Sequence, residues 1–345
     1  MSQPHRMIVS LTGAALLAAT LLGCGGSGVG DVELLNASYD PTRELWKDLN
    51  AHFVAEYEKE TGKKVTIQQS HGGSASQARA VIEGLPADVA TLALWSDMDQ
   101  VRANGLIRDG WEDRLPRHSL PYYSTIVFVV RRGNPKGVRD WPDLVEKPGV
   151  EIVTPNPKTS GNGKLSFLAA WGAVIHSGGT EEQARDFVTR LCRRVPVLDS
   201  GARGSTTTFA QNKKGDVHLT WENEALLEVR ETKGALEIVH PPASIRAEPY
   251  VAVVDEVVDE RGTRAAAEAY LKSLYEPEAQ EIIARHGYRP CDYETDRAMQ
   301  SRHKDTLPPD LTLFPVTSFV KDWGEAQRKF FAEGGEFDRL YQPGK

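Results

Sequence analysis

Short apolar runs rich in β-branched residues alternate along this chain with longer segments whose apolar residues recur at helical spacing. The alternation is typical of α/β layers in which the strands are mainly parallel. Strands are predicted at residues 32–36, 65–69, 150–153, 195–198 and 216–221. The first four run into turns of small and polar residues, and each of these turns leads into a helix.

The first helix has clear signals at both ends. Asp40 followed by Pro41 suits the N-cap and the first position of a helix. The helical pattern then covers residues 42–61, and Gly62 is expected to end it because glycine favours the position after a helix. We therefore predict that the turn around Asp40 places several backbone N–H groups at one helix start.

The other strand-to-helix turns share this property. Ser74 and Gln77 have capping-box spacing before a helix over residues 75–83. A helix N-terminus carries unpaired N–H groups and partial positive charge, so several such turns meeting at one place would form an anion site. The alternative is that these turns only connect elements, as most glycine-containing turns of α/β proteins do.

The N-terminal residues have the features of a secretory signal peptide. An apolar run over residues 7–22 follows Arg6 and is shorter than the roughly 20 residues that span a bilayer. The run ends in LLGC, which resembles a bacterial lipobox and predicts lipidation of Cys24 after removal of residues 1–23. Residues 24–31 would form a flexible, glycine-rich tether. The alternative is an ordinary signal peptide with a chance cysteine.

Composition and charge narrow the class of protein. The chain has 345 residues, with 41 Lys and Arg against 48 Asp and Glu, and a formal charge of −7. This length predicts about two domains, and the acidic balance argues against a general nucleic-acid binder. An anion would have to be held by local dipoles. After export, Cys192 and Cys291 either form a disulfide or remain two separate thiols.

Motifs for catalysis or metal binding are weak in this sequence. GNGK at residues 161–164 resembles a phosphate loop, but Leu165 occupies the position of the Mg²⁺-binding Ser or Thr. There is no G-x-S-x-G motif, and the nine histidines lack metal-ligand spacing. We therefore predict no enzyme activity, no cofactor and no metal site.

Taken together, several longer motifs resemble the bacterial sulfate-binding protein family of ABC importers. The matching segments are NASYDPTREL (36–45), QSHGGSASQARAVIE (69–83), DVATLAL (88–94), STIVFVVRRGNP (124–135), TPNPKTSG (154–161), VPVLDSGARGSTTT (195–208), WENEA (221–225), EPYVAVVD (248–255) and WGEAQRKFFAEGGEF (323–337). The resemblance covers about residues 32–340. It is the combination that makes the resemblance specific, because each turn alone is common.

The resemblance implies a type II periplasmic-binding-protein fold. In this fold two α/β lobes, each with a mainly parallel sheet flanked by helices, are joined by crossing hinge strands and close on the ligand. The first crossing is expected near residues 122–125 and the return near residues 247–251. Lobe 1 would then comprise residues 32–122 and 249–345, and lobe 2 residues 123–248.

The resemblance also implies a dehydrated oxyanion held by neutral hydrogen bonds, with sulfate as the main candidate and thiosulfate as the second. The backbone donors would be Asp40, Ser74, Gly161, Asn162 and Ala202, and the side-chain donors would be Ser160 and Trp221. Asn162 occupies a position that is typically glycine in the family, which leaves its local geometry open. Arg79 and Arg203 lie near these turns and are expected to pair with protein carboxylates.

The resemblance also predicts partners and a cellular location. The expected partners are the sulfate or thiosulfate ligand, ABC permease subunits and a membrane reached through the Cys24 anchor, with no nucleic acid. The protein would be an exported, membrane-anchored monomer. Asp40 and Ser74 could instead be simple caps, and Trp221 could be core packing. Other ligands, such as molybdate or phosphate, and a secreted hydrolase on the same fold remain as alternatives.

Overall fold

The computed structural model describes residues 31–342. The predicted signal peptide, the lipidation site at Cys24 and the tether up to residue 30 lie outside the described residues. Within the described part, no helix combines the length and the apolar character needed to cross a bilayer.

The described residues form twelve strands in two sheets. The strands are β1 (Val32–Tyr39), β2 (Val65–Gly72), β3 (Val89–Leu92), β4 (Tyr122–Arg131), β5 (Ile152–Pro155), β6 (Leu198–Asp199), β7 (Val217–Trp221), β8 (Leu236–Val239), β9 (Ala243–Ala247), β10 (Tyr250–Val253), β11 (Arg289–Pro290) and β12 (Thr312–Phe314). The first sheet has the order β10-β3-β1-β2. The second has the order β12-β9-β4-β7-β5-β6, with β8 and β11 also paired to β4.

Fifteen α-helices connect and cover these strands in the described residues. They are α1 (Arg43–Thr61), α2 (Ser74–Ile82), α3 (Trp95–Ala103), α4 (Pro116–Ser119), α5 (Asp143–Glu146), α6 (Gly161–His176), α7 (Glu181–Cys192), α8 (Ala202–Thr206), α9 (Glu222–Glu231), α10 (Asp255–Arg261), α11 (Arg264–Ser273), α12 (Pro277–Arg285), α13 (Arg297–His303), α14 (Trp323–Ala326) and α15 (Glu336–Leu340). Short 3₁₀ or π turns lie at Asp40–Thr42, Trp111–Arg114, Thr207–Gln211, Val316–Ser318 and Gln327–Phe331.

The first sheet and the helices packed on it form what we call the first lobe. In this sheet β1 is parallel to β2 and β3, and β10 is antiparallel to β3. Its core includes Trp46 of α1 and Tyr270 of α11, whose ring centroids lie 5.6 Å apart. As predicted, α1 ends at Gly62, which has φ of 70° and therefore favours a residue without a side chain.

The second sheet and its helices form the second lobe. This sheet is mixed: β5 is parallel to β6 and β7, whereas β4 is antiparallel to β7, β8 and β9. The strand predicted at residues 195–198 is confined to β6, because Val195 packs into the core instead of joining the sheet. The strand predicted at residues 150–153 is β5, two residues further along the chain.

The C-terminal tail packs on the second lobe, which differs from the predicted placement of residues 249–345 in lobe 1. β12 pairs in parallel with β9 of the second sheet. Beyond it, Phe330 and Phe331 pack edge-on against the Phe167 ring of α6. The aromatic residues of the tail thus bury their surface in the core of the second lobe, which explains why the chain returns there.

Neighbouring segments of β4 and β9 run between the two lobes. Ser124 and Thr125 of β4 pair with Ala247 and Arg246 of β9, so the outgoing and returning segments run side by side. A third crossing, which the sequence did not indicate, follows β11, whose Arg289 pairs with Tyr123. The chain therefore passes between the lobes three times before it reaches β12. The type II two-lobe fold is confirmed.

Candidate functional site

The predicted turns from both lobes meet at one buried place between the lobes. A side-chain carbon placed on Gly73 of the first lobe would lie 2.2 Å from the Thr159 carbonyl oxygen of the second. A carbon placed on Gly161 would lie 2.6 Å from the Ala93 side chain, again across the lobes. Glycine is therefore required at both positions, because the two backbones approach too closely for a side chain. These contacts describe lobes that are closed on each other.

Ser74 is the first residue of α2, and Gly73 is its N-cap. The predicted capping box is wrong: the Ser74 hydroxyl accepts a hydrogen bond of 3.0 Å from the Ala93 N–H, and Gln77 instead accepts one from Ser70. The N-terminus of α2 therefore has no side-chain cap. Its first N–H groups have no partner within the helix itself.

Asp40 is not a cap either. Tyr39 is the N-cap of the short turn that leads into α1, and it makes no side-chain capping bond. The Asp40 carboxylate accepts a hydrogen bond of 2.8 Å from Arg43. It also faces the second lobe, since a carbon placed on Gly201 would lie 2.6 Å from it. Asp40 thus contributes its backbone N–H to the N-terminus of the helix, while its carboxylate forms an ion pair with Arg43.

The third turn supplies Ser160, Gly161 and Asn162 at the start of α6. Ser160 is the N-cap, and its oxygen accepts a long hydrogen bond of 3.4 Å from the Gly163 N–H. Its hydroxyl hydrogen is therefore still available to donate. Asn162 is buried and lies in the first turn of α6; it is not among the positive-φ residues found in the described chain.

The Asn162 side chain is directed into the second lobe. Its Nδ2 group donates to Thr220 over 3.2 Å, and its Oδ1 atom accepts from Ser166 over 3.1 Å. A side chain is thus accommodated at this position without displacing the backbone N–H from the helix start, which answers the question left open by the sequence.

Ala202 begins α8, and Gly201 is its extended N-cap without a side-chain capping bond. The turn before it is tied to the Ser160 turn, because the Thr159 hydroxyl donates to the Ser200 carbonyl oxygen over 2.8 Å. This hydrogen bond holds the N-termini of α6 and α8 together, opposite the N-termini of the two first-lobe helices that begin near Asp40 and Ser74.

Trp221 ends β7 and is completely buried, with 0% exposure. Its Nε1–H has no hydrogen-bond partner among the described residues. A buried indole usually donates this hydrogen, so the missing acceptor points to a ligand. Its ring packs against Tyr39 with centroids 5.4 Å apart, and the Tyr39 hydroxyl also lacks a partner in residues 31–342.

Comparison with known proteins gives the family. A family model described as bacterial extracellular solute-binding protein matches residues 46–289. The sulfate-binding protein of Salmonella typhimurium is 51% identical over 312 residues, which are 90% of this chain and 93% of the relative. The thiosulfate-binding protein of Pseudomonas aeruginosa is 48% identical over 335 residues, or 96% and 99% of the two chains. The chain belongs to the bacterial sulfate-binding protein family.

Two solved structures have a fold similar to that of this chain. The sulfate-binding protein SubI from Mycobacterium tuberculosis has a TM-score of 0.77 and 29% identity, and covers 87% of this chain and 99% of its own. A periplasmic thiamin binding protein reaches a TM-score of 0.65 at 15% identity, covering 90% and 97% of the two chains, and so supports the fold alone.

Arg203 of this family member pairs with carboxylates, as predicted. It lies 3.0 Å from Glu44 of the first lobe and 3.2 Å from Glu224 of the second. Burial raises the pKa of Glu224 to about 8; Arg203 opposes this shift, while Glu228 and Glu44 add to it. For Arg79, which is exposed, the prediction is not confirmed: no carboxylate lies within 4 Å of it in the described chain.

Buried charges also lie near the hinge, and no motif in the sequence predicts them. Glu222, directly after Trp221, is completely buried and accepts two hydrogen bonds from Arg289, of 2.9 and 2.8 Å. Arg289 and His240 hold the pKa of Glu222 below its ordinary value against the effect of burial. The position of Trp221 is therefore fixed by an ion pair that joins α9 to β11.

The structure also shows the state of Cys192 and Cys291, which the sequence left either bonded or separate. Cys192 is buried in the core of the second lobe, Cys291 is half-buried near β11, and both are free thiols within residues 31–342. Burial raises the pKa of Cys192 to about 12 and that of Cys291 to about 11, so neither is a reactive thiolate. Residues 31–342 contain no cluster of three or more His, Cys, Asp or Glu side chains suited to a metal ion.

Proposed function

We propose that this protein captures sulfate between its two lobes, through neutral hydrogen bonds, and delivers it to an ABC permease. The observation that carries the proposal is the Trp221 indole N–H, which is buried without a partner in residues 31–342, where helix N-termini from both lobes meet without side-chain caps. The proposed donors are the backbone N–H groups of Asp40, Ser74, Gly161, Asn162 and Ala202, the Ser160 hydroxyl and the Trp221 indole.

The charge balance fits a dianion held without a cation. Burying a divalent anion is costly unless its oxygens receive hydrogen bonds, and bonds to charged groups contribute roughly 1.5–3 kcal/mol each. Helix starts add partial positive charge to several of these donors. Arg203 is not available to the ligand, because Glu44 and Glu224 occupy it.

A site that contains only donors also selects among anions. Sulfate carries no proton at neutral pH and needs no acceptor, whereas phosphate retains an O–H that would face another donor. A buried donor opposite a donor leaves both groups unpaired, and such mismatches can produce large discrimination. We therefore propose preference for sulfate over phosphate. Thiosulfate is the second candidate, because one of the close relatives is named for it.

We further propose that the protein acts by binding alone and carries out no reaction. The site joins no nucleophile to a base, and ATP hydrolysis would occur on a separate subunit of the importer. The lobes would move as rigid bodies about the three crossings, near residues 122, 249 and 290. The tail from residue 312 would move with the second lobe, on which it packs.

Calorimetric titration of the mature chain with sulfate, thiosulfate, molybdate and phosphate tests the proposed ligand. We expect heat and a change in tryptophan fluorescence with sulfate at micromolar concentrations, and far weaker binding of phosphate. Absence of both signals with sulfate would refute the proposal. Turnover of a chromogenic sulfate or phosphate ester would refute the binding-only role.

The proposed membrane anchor needs its own test. We propose that Cys24 is lipidated after removal of residues 1–23, which would hold the monomeric protein at a membrane surface. In the native host, the full chain should fractionate with membranes, whereas Cys24→Ser should be soluble or remain uncleaved. Membrane fractionation of a Cys24→Ser protein from which the signal peptide has been removed would contradict the anchor without affecting the proposed ligand.

A further inference from the structure

A cavity of about 240 Å³ is lined by residues of both lobes. The first lobe lines it with Leu45 of α1 and with Gly287, which follows α12. The second lobe lines it with Leu226 and Arg230 of α9. Because residues of both lobes line the cavity, it is complete only when the lobes are closed on each other.

The unpaired charge of this cavity is positive. Arg230 and Arg285 both line it, and neither has a carboxylate within 4 Å in the part of the chain that the structure describes. The acidic side chains that line it, Glu44 and Glu224, are already paired with Arg203. Two unpaired guanidinium groups beside apolar side chains can bind a small anion whose remaining atoms are apolar.

The wall between the arginines is fixed by close contacts. Gly287 has φ of 79°, and a side-chain carbon placed on it would lie 2.5 Å from Leu226. Asn223 is 5% exposed, and its Oδ1 atom has no partner within residues 31–342. Its Nδ2 group donates to the Tyr288 hydroxyl over 2.9 Å. The cavity thus has an apolar surface beside a polar residue, Asn223, whose Oδ1 atom accepts no hydrogen bond from residues 31–342.

A short path connects this cavity to the proposed sulfate site. Asn223 lies two residues after Trp221, and the Tyr288 hydroxyl donates to the Pro41 carbonyl oxygen over 3.0 Å. Pro41 follows Asp40 at the start of the first helix. Groups that line the cavity are therefore bonded directly to the segments that supply two of the proposed sulfate donors.

We propose that this cavity is a second binding site, which takes a small amphipathic monoanion such as a short branched carboxylate. The carboxylate would lie between Arg230 and Arg285, and the alkyl part would cover Leu45 and Leu226. The volume is below the roughly 300 Å³ at which pockets for drug-sized ligands begin, which restricts the ligand to a small molecule. Because both lobes form the site, its occupation favours the closed form and tightens sulfate binding, and sulfate tightens it in return. This coupling rests on the proposed closure around sulfate.

The test uses 4-methylpentanoate as the probe and the uncharged 4-methylpentanamide as its control. Each is titrated into the sulfate-saturated mature chain in a calorimeter. We expect the carboxylate to bind and Arg285→Gln or Arg230→Gln to weaken it about 10-fold, the effect of losing one charge-assisted contact. Arg132→Gln is the matched control, because Arg132 is exposed, outside the cavity and unpaired in the described chain. It should leave the affinity for the probe unchanged.

The outcomes separate the two proposals. Equal binding of the acid and the amide, equal affinity in the Arg285→Gln and Arg132→Gln proteins, or no heat up to about 10 mM probe would overturn the second site. A dissociation constant for sulfate that is the same with and without saturating probe would overturn the coupling. A chain that binds the probe through Arg285 but not sulfate would contradict the proposed function alone.

Discussion

The Nζ atom of Lys164 lies 2.9 Å from the Oδ1 atom of Asp97, although α6 and α3 belong to different lobes. The two side chains are 4% and 0% exposed, so this is a buried ion pair at the lobe interface. The other carboxylate oxygen of Asp97 has no partner in residues 31–342. Removing one member of such a pair leaves an uncompensated buried charge, which is far more costly than removing both.

We predict that Lys164→Met weakens sulfate binding by up to about 3 kcal/mol, because the cost of the unpaired Asp97 charge falls on the closed form. The Lys164→Met/Asp97→Leu double variant should recover much of the lost affinity, as both charges are then absent. Calorimetric titration with sulfate measures both effects.

Lys136→Met is the matched control for this experiment. Lys136 pairs with Asp216 at 3.8 Å within the second lobe and is partly exposed, so its loss should leave the affinity for sulfate unchanged. If Lys164→Met instead lowers the free energy of unfolding of the sulfate-free protein and leaves sulfate affinity intact, the pair serves folding and not closure.

The contact between Gly73 and the Thr159 carbonyl oxygen predicts a steric block to closure. In Gly73→Ala, the added carbon would lie 2.2 Å from that oxygen, which belongs to the opposite lobe. Gly73 has φ of −59°, so alanine causes no backbone strain there. We expect sulfate affinity to fall at least about 100-fold, equivalent to roughly 2.8 kcal/mol, while the melting temperature without sulfate stays the same.

Gly72→Ala provides the control for this substitution. Its added carbon would meet only the end of the Gln77 side chain, at 2.8 Å and within the same lobe, and that flexible group can move away. Similar losses of sulfate affinity in the Gly72 and Gly73 variants would show that the turn as a whole, and not closure against Thr159, is sensitive.

Local signals in the sequence predicted the helices better than their caps. α1 and its end at Gly62 follow from helical periodicity and glycine at the terminus, both of which act within a few residues. The roles of Ser74 and Asp40 could not be predicted from such local signals. Ser74 accepts its hydrogen bond from Ala93, which lies far away in the sequence, and no local spacing rule includes that competing partner.

Contacts between residues far apart in the sequence were also not predicted, both at the site and in the C-terminal tail. The resemblance predicted the turns that meet between the lobes, but the buried Lys164–Asp97 and Glu222–Arg289 pairs had no signal, because each joins residues separated by 67 positions. The position of β12 beside β9 also depends on where the tail aromatic residues find a core, which composition alone does not specify.

The unpartnered indole predicts a specific effect of Trp221→Phe. This change keeps an aromatic ring against Tyr39 but removes the Nε1–H, so sulfate affinity should fall by about 1–3 kcal/mol. Trp141→Phe is the control, since the Trp141 indole donates to the Ala243 carbonyl oxygen over 2.8 Å, away from the site. It should lower the free energy of unfolding and leave sulfate affinity unchanged. Unchanged affinity in Trp221→Phe would exclude this indole as a donor.

The raised pKa of Glu224 predicts a pH dependence of folding stability. Burial moves the pKa from an ordinary value of 4.5 to about 8, so the folded chain retains a proton that the unfolded chain loses. The stabilising contribution is therefore complete below about pH 4.5 and is lost progressively as the pH rises to about 8. Urea unfolding at pH 5, 6.5 and 8 should show the stability of the native chain falling relative to Glu224→Gln. The stability of Glu146→Gln, which replaces an exposed carboxylate, should change with pH as that of the native chain does. The same pH dependence in Glu224→Gln would contradict the raised pKa.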